Sequence, residues 1–276
     1  MVVNFFKKTI LSYLILSLLT ITFVSVESIQ AKENVSIQEK TQYFHEQYGK
    51  YQDFNKALKK LTNKYSSVEV KFKETKTVYI DQDGNEVNES DFNSQYVYIN
   101  EVTWDDSIIY DNDTQKYVYL GGWDWHSGLN GSEPYDSIGV YTGNPTDIPI
   151  TEVVIYGYNR FGTQKAYYST GDGSKSGYID RSTPPTEDNL GVGFWIDDRY
   201  VNNGTVSAFL DGSMPSNKDD SKNNVYLQYD HSYTASTVTG VGGNVDIKSG
   251  GGFNVTWFTD VYGQGSFYSN GGGLTY

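Results

Sequence analysis

Two periods of apolar residues divide this chain. Between Ser36 and Tyr65, the residues Ile37, Phe44, Tyr48, Tyr51, Phe54, Leu58, Leu61 and Tyr65 recur at helical steps of three, four and seven. That spacing keeps one stripe of a 3.6-residue helix turned inward. Ser36 followed three residues later by Glu39 has capping-box spacing, so the helix is expected to open there. Gly49 lies inside the stripe and marks a place for a kink or split, at about 1 kcal/mol relative to Ala. Lys50, Lys56, Lys59, Lys60 and Lys64 make the same segment basic. A basic amphipathic helix suits a membrane or a partner protein, but the regularity of the stripe favours packing on the sheet that follows.

From Val68 onward the period is two. Val68, Val70 and Phe72 alternate with charged residues, and the run continues to Ile80 before the turn-like Asp81-Gln82-Asp83-Gly84-Asn85. Further strands are expected at 95–104, 116–120, 151–159, 165–169, 192–196, 205–210, 225–231, 244–248, 253–259 and 266–269. Clusters such as Gly143-Asn144-Pro145 and Ser182-Thr183-Pro184-Pro185 read as loops between them. The expected fold is mainly β: an antiparallel β-sandwich, or a barrel-like body, preceded by an N-terminal amphipathic helix. The expected domains are a leader at 1–31, a helical segment at 32–67 packed on the body, and an all-β domain at 68–276.

The leader fixes the compartment. Lys7 and Lys8 precede an almost uncharged run from Thr9 to Val26, and Ser28-Ile29-Gln30-Ala31 supplies a small residue at a cleavage point. This is the pattern of a secretory signal peptide cleaved after Ala31, giving a secreted, extracellular protein. The run approaches the roughly 17–25 residues that span a bilayer, so an uncleaved anchor is the rival reading. The chain has no cysteine, which leaves folding to burial and hydrogen bonding and removes thiol chemistry. An exported, Tyr-, Gly- and Asn-rich chain of this kind resembles exported proteins of Gram-positive bacteria in composition.

Charge is divided along the chain. Residues 32–76 carry ten lysines against six acids, whereas 77–276 carry nine Lys and Arg against 27 acids, within an overall charge of −13. Such an acidic body repels phosphate backbones and anionic lipid, which argues against nucleic-acid binding.

Candidate chemistry is concentrated in aromatic residues. Tyr96 and Tyr98 alternate with Val97 and Ile99, and Tyr117 and Tyr119 alternate with Val118 and Leu120. Tyrosines therefore share one face of a sheet and aliphatics the other. A tyrosine pairs an apolar ring with a hydroxyl that seeks a wet partner, which suits carbohydrate stacking or protein recognition. In Gly121-Gly122-Trp123-Asp124-Trp125-His126, alternation places Trp123 and Trp125 on one face and Asp124 and His126 on the other. The candidate ligand-binding set is thus Tyr96, Tyr98, Tyr117, Tyr119, Trp123, Trp125 and His126, with a covered, structural tyrosine face and structural indoles as the alternative.

Other constellations are weaker. No cofactor is expected. Asp211, Asp219 and Asp220 lie in an oxygen-rich stretch whose composition suits calcium and equally suits a solvated turn. Nucleophile, zinc and phosphate-loop motifs are absent from the sequence. The hairpin expected around Asn244 to Thr259 is amphipathic over about five residues per arm, short of the roughly 9–11 that cross a membrane. The leading expectation is a secreted, non-enzymatic β protein binding a glycan, a cell-envelope component or an extracellular protein. A membrane-perturbing, bacteriocin-like toxin and a carboxylate-based extracellular hydrolase are the alternatives.

Overall fold

The computed structural model describes residues 35–80, 86–88, 100–126, 136–142, 149–181, 191–211, 224–232, 243–247, 253–257, 264–268 and 272–273. The leader at 1–31, the turn at 81–85, Tyr96, Tyr98, Asp219 and Asp220 lie outside these residues. Of two compact units, Met1–Ser36 and Ile37–Tyr276, the second holds the described helices and strands.

The apolar stripe forms two helices, α1 (Ile37–Tyr51) and α2 (Phe54–Lys64). The break falls at Gln52, whose φ is 50°, and Asp53 then caps α2 by accepting a hydrogen bond from the Lys56 backbone N–H at 2.8 Å. Gly49 is not the breaker. A Cβ there would stand 2.6 Å from Tyr158 Cε1, so glycine lets α1 lie close against the sheet.

The strands form two antiparallel sheets packed face to face. One has the order β2 (Glu86–Val87), β1 (Val68–Ile80), β3 (Asn100–Asp111), β4 (Lys116–Trp125), β11 (Asn203–Leu210), β6 (Ile150–Tyr158), β7 (Gln164–Ser169), β8 (Lys175–Gly177). The other runs β15 (Gln264–Tyr268), β12 (Asn224–Ser232), β5 (Asp136–Thr142), β10 (Gly191–Ile196), β9 (Ile179–Arg181), with β16 (Gly272–Gly273) also paired to β12. A separate two-stranded sheet pairs β13 (Gly243–Ile247) with β14 (Phe253–Trp257), Val245 opposite Val255. Each arm of that hairpin has five paired residues.

Alternation along the strands divides the core in two. Val102, Trp104, Ile108, Tyr119, Trp123, Trp125, Ile155 and Val206 point inward and meet Ile138, Val140, Phe194, Ile196, Leu227 and Tyr229 of the opposite sheet. On the outer face of the larger sheet, Ile109, Val118, Leu120, Tyr158 and Phe209 receive Phe44, Tyr48, Phe54, Leu58 and Leu61 from the helices. Both faces of the middle strands are therefore covered, and β11 is buried along its whole length.

Several strands differ from the sequence expectation, β3 and β5 most informatively. β3 continues past Trp104 to Asp111, carrying Asp106 into the interior, where the Tyr119 hydroxyl donates to its carboxylate. β5, Asp136–Thr142, was not expected as a strand. Every residue of it is buried, so neither face has to be polar and the two-residue period disappears.

Candidate functional site

The helices cover only part of the larger sheet. Eight strands spaced by about 4.8 Å make a sheet roughly 34 Å across, whereas two helices of about 10 Å each cover roughly 20 Å. On the β6–β7 side the outer face stays partly open, and a cleft of about 340 Å³ lies between it and α1. That volume falls in the range of small-molecule sites.

Cross-strand register builds the floor. On the outer face Thr205, Tyr156 and Tyr167 stand in one row across β11, β6 and β7, and Ser207, Val154 and Ser169 in the next. Glu152 follows one step further along β6, opposite Phe209. Gln38, Thr41, Gln42 and His45 descend one side of α1 as the facing wall, and the Gly171–Asp172 turn closes one end. Three segments distant in sequence thus meet here.

His45 anchors the wall to the floor. Its Nδ1 lies 2.7 Å from Thr205 Oγ1, its Nε2 lies 3.1 Å from Ser207 Oγ, and its ring stacks on Tyr156 with centroids 4.5 Å apart. Full burial pushes its pKa down to about 3, so it stands neutral at physiological pH. Tyr156 and Tyr167 line the cleft with centroids 4.9 Å apart, and both are half-buried. Burial raises the Tyr156 hydroxyl to about 12, assisted by Tyr167 and Glu46, which keeps the phenol neutral. Glu152 accepts a hydrogen bond from Ser169 Oγ at 3.3 Å. Asp172 is fixed by the Ser174 backbone N–H at 2.9 Å and hydroxyl at 2.6 Å, which hold its carboxyl below the usual range.

Of the residues singled out from sequence, the structure places the described ones elsewhere. Tyr119, Trp123 and Trp125 are 0%, 1% and 3% exposed, in the core between the sheets. Trp104, Trp123 and Trp125 surround Tyr229, with ring centroids 6.3, 6.4 and 5.4 Å away. In this arrangement those three side chains present no ring to a ligand. On β4 the tyrosine face is the inner face, covered by the second sheet, and it is the aliphatic face of Val118 and Leu120 that the helices cover. Tyr117 is half-buried beside Tyr110, with centroids 4.6 Å apart. His126 is exposed, its Nε2 2.8 Å from Thr103 Oγ1 and 3.9 Å from Glu101 Oε1. Asp211 is exposed, and its backbone N–H donates to Pro149 O. Among the described residues no group of His, Cys, Asp and Glu has the arrangement of a metal site.

Sequence reasoning passed over Tyr156, Tyr167, Glu152 and the α1 wall. A signal was present, because Glu152, Val154, Tyr156 and Tyr158 alternate with Val153 and Ile155 in the same way as the tyrosines of β4 alternate with aliphatics. Nothing local tells which face a helix will leave open.

A second cluster of titratable groups lies at the C-terminal end of β10. Asp136, Asp197 and Asp198 are all buried; the Tyr229 hydroxyl donates to Asp136, and Arg199 pairs with Asp197 at 2.8 Å. Burial, then Asp136, then Asp197 push the Asp198 carboxyl up to about 9, with Arg199 opposing. The folded state therefore holds a proton that the unfolded chain, with an ordinary Asp pKa near 3.9, releases. Its contribution is complete below the unfolded value and is lost as pH rises through the folded one, at up to about 1.4 kcal/mol per pH unit. Asp198→Asn is expected to flatten the fall in urea midpoint between about pH 5 and pH 9 and to stabilise the fold at the alkaline end. Parallel pH profiles for the two proteins would contradict this assignment.

Among the described residues no helix is long and apolar enough to cross a membrane. No family model matches the chain, and no curated protein matches it. One similar solved structure is described as "pH-induced modulation of Streptococcus parasanguinis adhesion by Fap1 fimbriae". The two share 14% sequence identity over 73% of this chain and 92% of that chain, with a TM-score of 0.29. A likeness at that level carries no functional inference, and the cleft stands on its own chemistry.

Proposed function

We propose that this is a secreted, non-enzymatic β protein that binds a glycan or other cell-envelope component in the cleft between α1 and β6–β7. The observation that carries the reading is an open cleft in which two tyrosine rings sit among amide, hydroxyl and carboxylate side chains. Saccharide sites combine the same parts: ring edges and faces for the apolar side of a sugar, and short-range donors and acceptors for its hydroxyls. Export rests on the leader at 1–31, and the chemistry of the partner rests on the cleft.

Purified wall polysaccharides presented to the full chain test the reading. Gln42 is exposed and Tyr167 half-buried, so Gln42→Ala and Tyr167→Ala disturb the cleft with little demand on the core. Each is expected to weaken retention about tenfold, equivalent to about 1.4 kcal/mol. Retention unchanged in both variants, or no polysaccharide retained by the unaltered protein, would overturn the proposal. Cleavage of a retained polysaccharide would favour a hydrolase built on Glu152 and Asp172.

A further inference from the structure

The charge of the cleft narrows its ligand. Two carboxylates, Glu152 and Asp172, belong to its lining, and none of its lining residues is Lys or Arg. His45, the one lining side chain able to become a cation, is sequestered by burial and by its contacts with Thr205 and Ser207. Tyr156 and Tyr167 add aromatic rings, whose faces attract cations. Gln38 and Gln42 supply amide groups from the exposed side of α1, suited to neutral hydroxyls.

Backbone geometry reserves room for one of the carboxylates. At Gly171 a Cβ would stand 2.6 Å from Glu152 Oε1 and 2.7 Å from its Cδ. Glu152 thus lies over a position that any larger residue would occupy, and Ser169 holds the same oxygen from the side. The carboxylate is placed at the Gly171–Asp172 end of the cleft by two neighbours on the β7 side.

From this we infer that the glycan seated in the cleft bears protonated amino groups, as a de-N-acetylated amino sugar does. The inference rests on the saccharide reading of the same cleft and adds its charge. An ammonium group would sit between Glu152 and Asp172, making charge-assisted hydrogen bonds, while the sugar ring lies along Tyr156 and Tyr167. An acetylated nitrogen carries no charge and forfeits those contacts. An acidic sugar is repelled.

The test compares a glucosamine tetramer with an N-acetylglucosamine tetramer, titrated into the full chain at mildly acidic pH in low and high salt. The amine form is expected to bind about tenfold tighter or more, with an advantage that shrinks as salt screens it. Glu152→Gln, which keeps the shape and removes the charge, and Gly171→Ala, which displaces the carboxylate, are both expected to reduce that advantage several-fold. Both variants are expected to change binding of the acetylated tetramer far less than binding of the amine form. Equal binding of the two tetramers, or an advantage that survives both variants, overturns the amine assignment while leaving a saccharide cleft in place. If neither tetramer binds and neither displaces wall polysaccharide, the amine assignment falls, and a polysaccharide retained independently of Gln42 and Tyr167 removes the saccharide reading with it.

Discussion

Replacing Lys40 by Met is expected to destabilise the fold by about 3–5 kcal/mol, because it leaves a buried carboxylate without its cation. Lys40 is 1% exposed, and its ammonium group donates to Asp111 Oδ1 at 2.7 Å, Ser67 Oγ at 2.9 Å and Asp113 Oδ2 at 3.0 Å. It thereby ties α1 to the ends of β1 and β3. Burial pulls the Lys40 pKa down, but the bonds to Asp111 and Asp113 more than reverse this, and it ends above its ordinary value. Burial raises the Asp111 carboxyl, and the bonds from Lys40, Ser67 and Thr114 outweigh that and hold it below the usual range. A lowered carboxylate pKa stabilises the fold above the unfolded value and ceases to do so as pH falls through the folded one. Urea unfolding of Lys40→Met should therefore show a large loss at neutral pH that narrows in acid. A second variant, Lys40→Met with Asp111→Leu, is expected to regain most of the loss, since apolar replacement of both partners is often neutral or better. An unaltered urea midpoint in the single variant would show that the pair contributes nothing.

Trp123→Ala is expected to cost a similar amount, about 3–5 kcal/mol, through lost burial and the cavity left behind. The indole is fully enclosed, and Gly204, its cross-strand partner on β11, leaves the space it fills: a Cβ at Gly204 would stand 2.2 Å from Trp123 Cη2. On its other side lies Tyr229. Trp123→Phe should lose less, because it retains an aromatic ring in the same space. A platform for sugar stacking behaves oppositely: truncation abolishes retention of polysaccharide and leaves the unfolding midpoint in place. Chemical denaturation and polysaccharide retention measured on the same preparation separate the two outcomes.

Much of the architecture is written in periodicity, and the exceptions have physical causes. The α1–α2 stripe, β1, β6, β7, β10, β11 and β12 follow from steps of three and four or from alternation, because each has one face that differs from the other. β5 sets Ser137, Gly139 and Tyr141 against Ile138, Val140 and Thr142, which is too little polar contrast for a periodicity reading, whereas the equally buried β11 keeps Thr205 and Ser207 on one face. The tyrosines of β4 illustrate a different limit. Alternation correctly sorts Tyr119 from Val118 and Leu120, but both sets are buried, one beneath a sheet and the other beneath helices. Exposure is decided by how far the helices extend across the sheet, which is a matter of their combined breadth against sheet width. The cleft is illegible for the same reason: Gln42, Glu152 and Tyr167 come together only after α1 has been laid across β11.

The ends of the larger sheet bear on how copies of the protein meet one another. Its terminal strands, β2 and β8, are two and three residues long. Among the described residues β2 pairs with β1 at Tyr79 and Ile80 alone, and the rest of β1 carries Glu69, Lys71, Lys73, Glu74 and Lys76. Abbreviated outer strands and a lysine-studded rim deny a second molecule the straight, apolar template it would need to add its own strand. Copies gathered on a repetitive polymer, as the proposed function entails, are kept apart by such edges instead of zipping into fibrils.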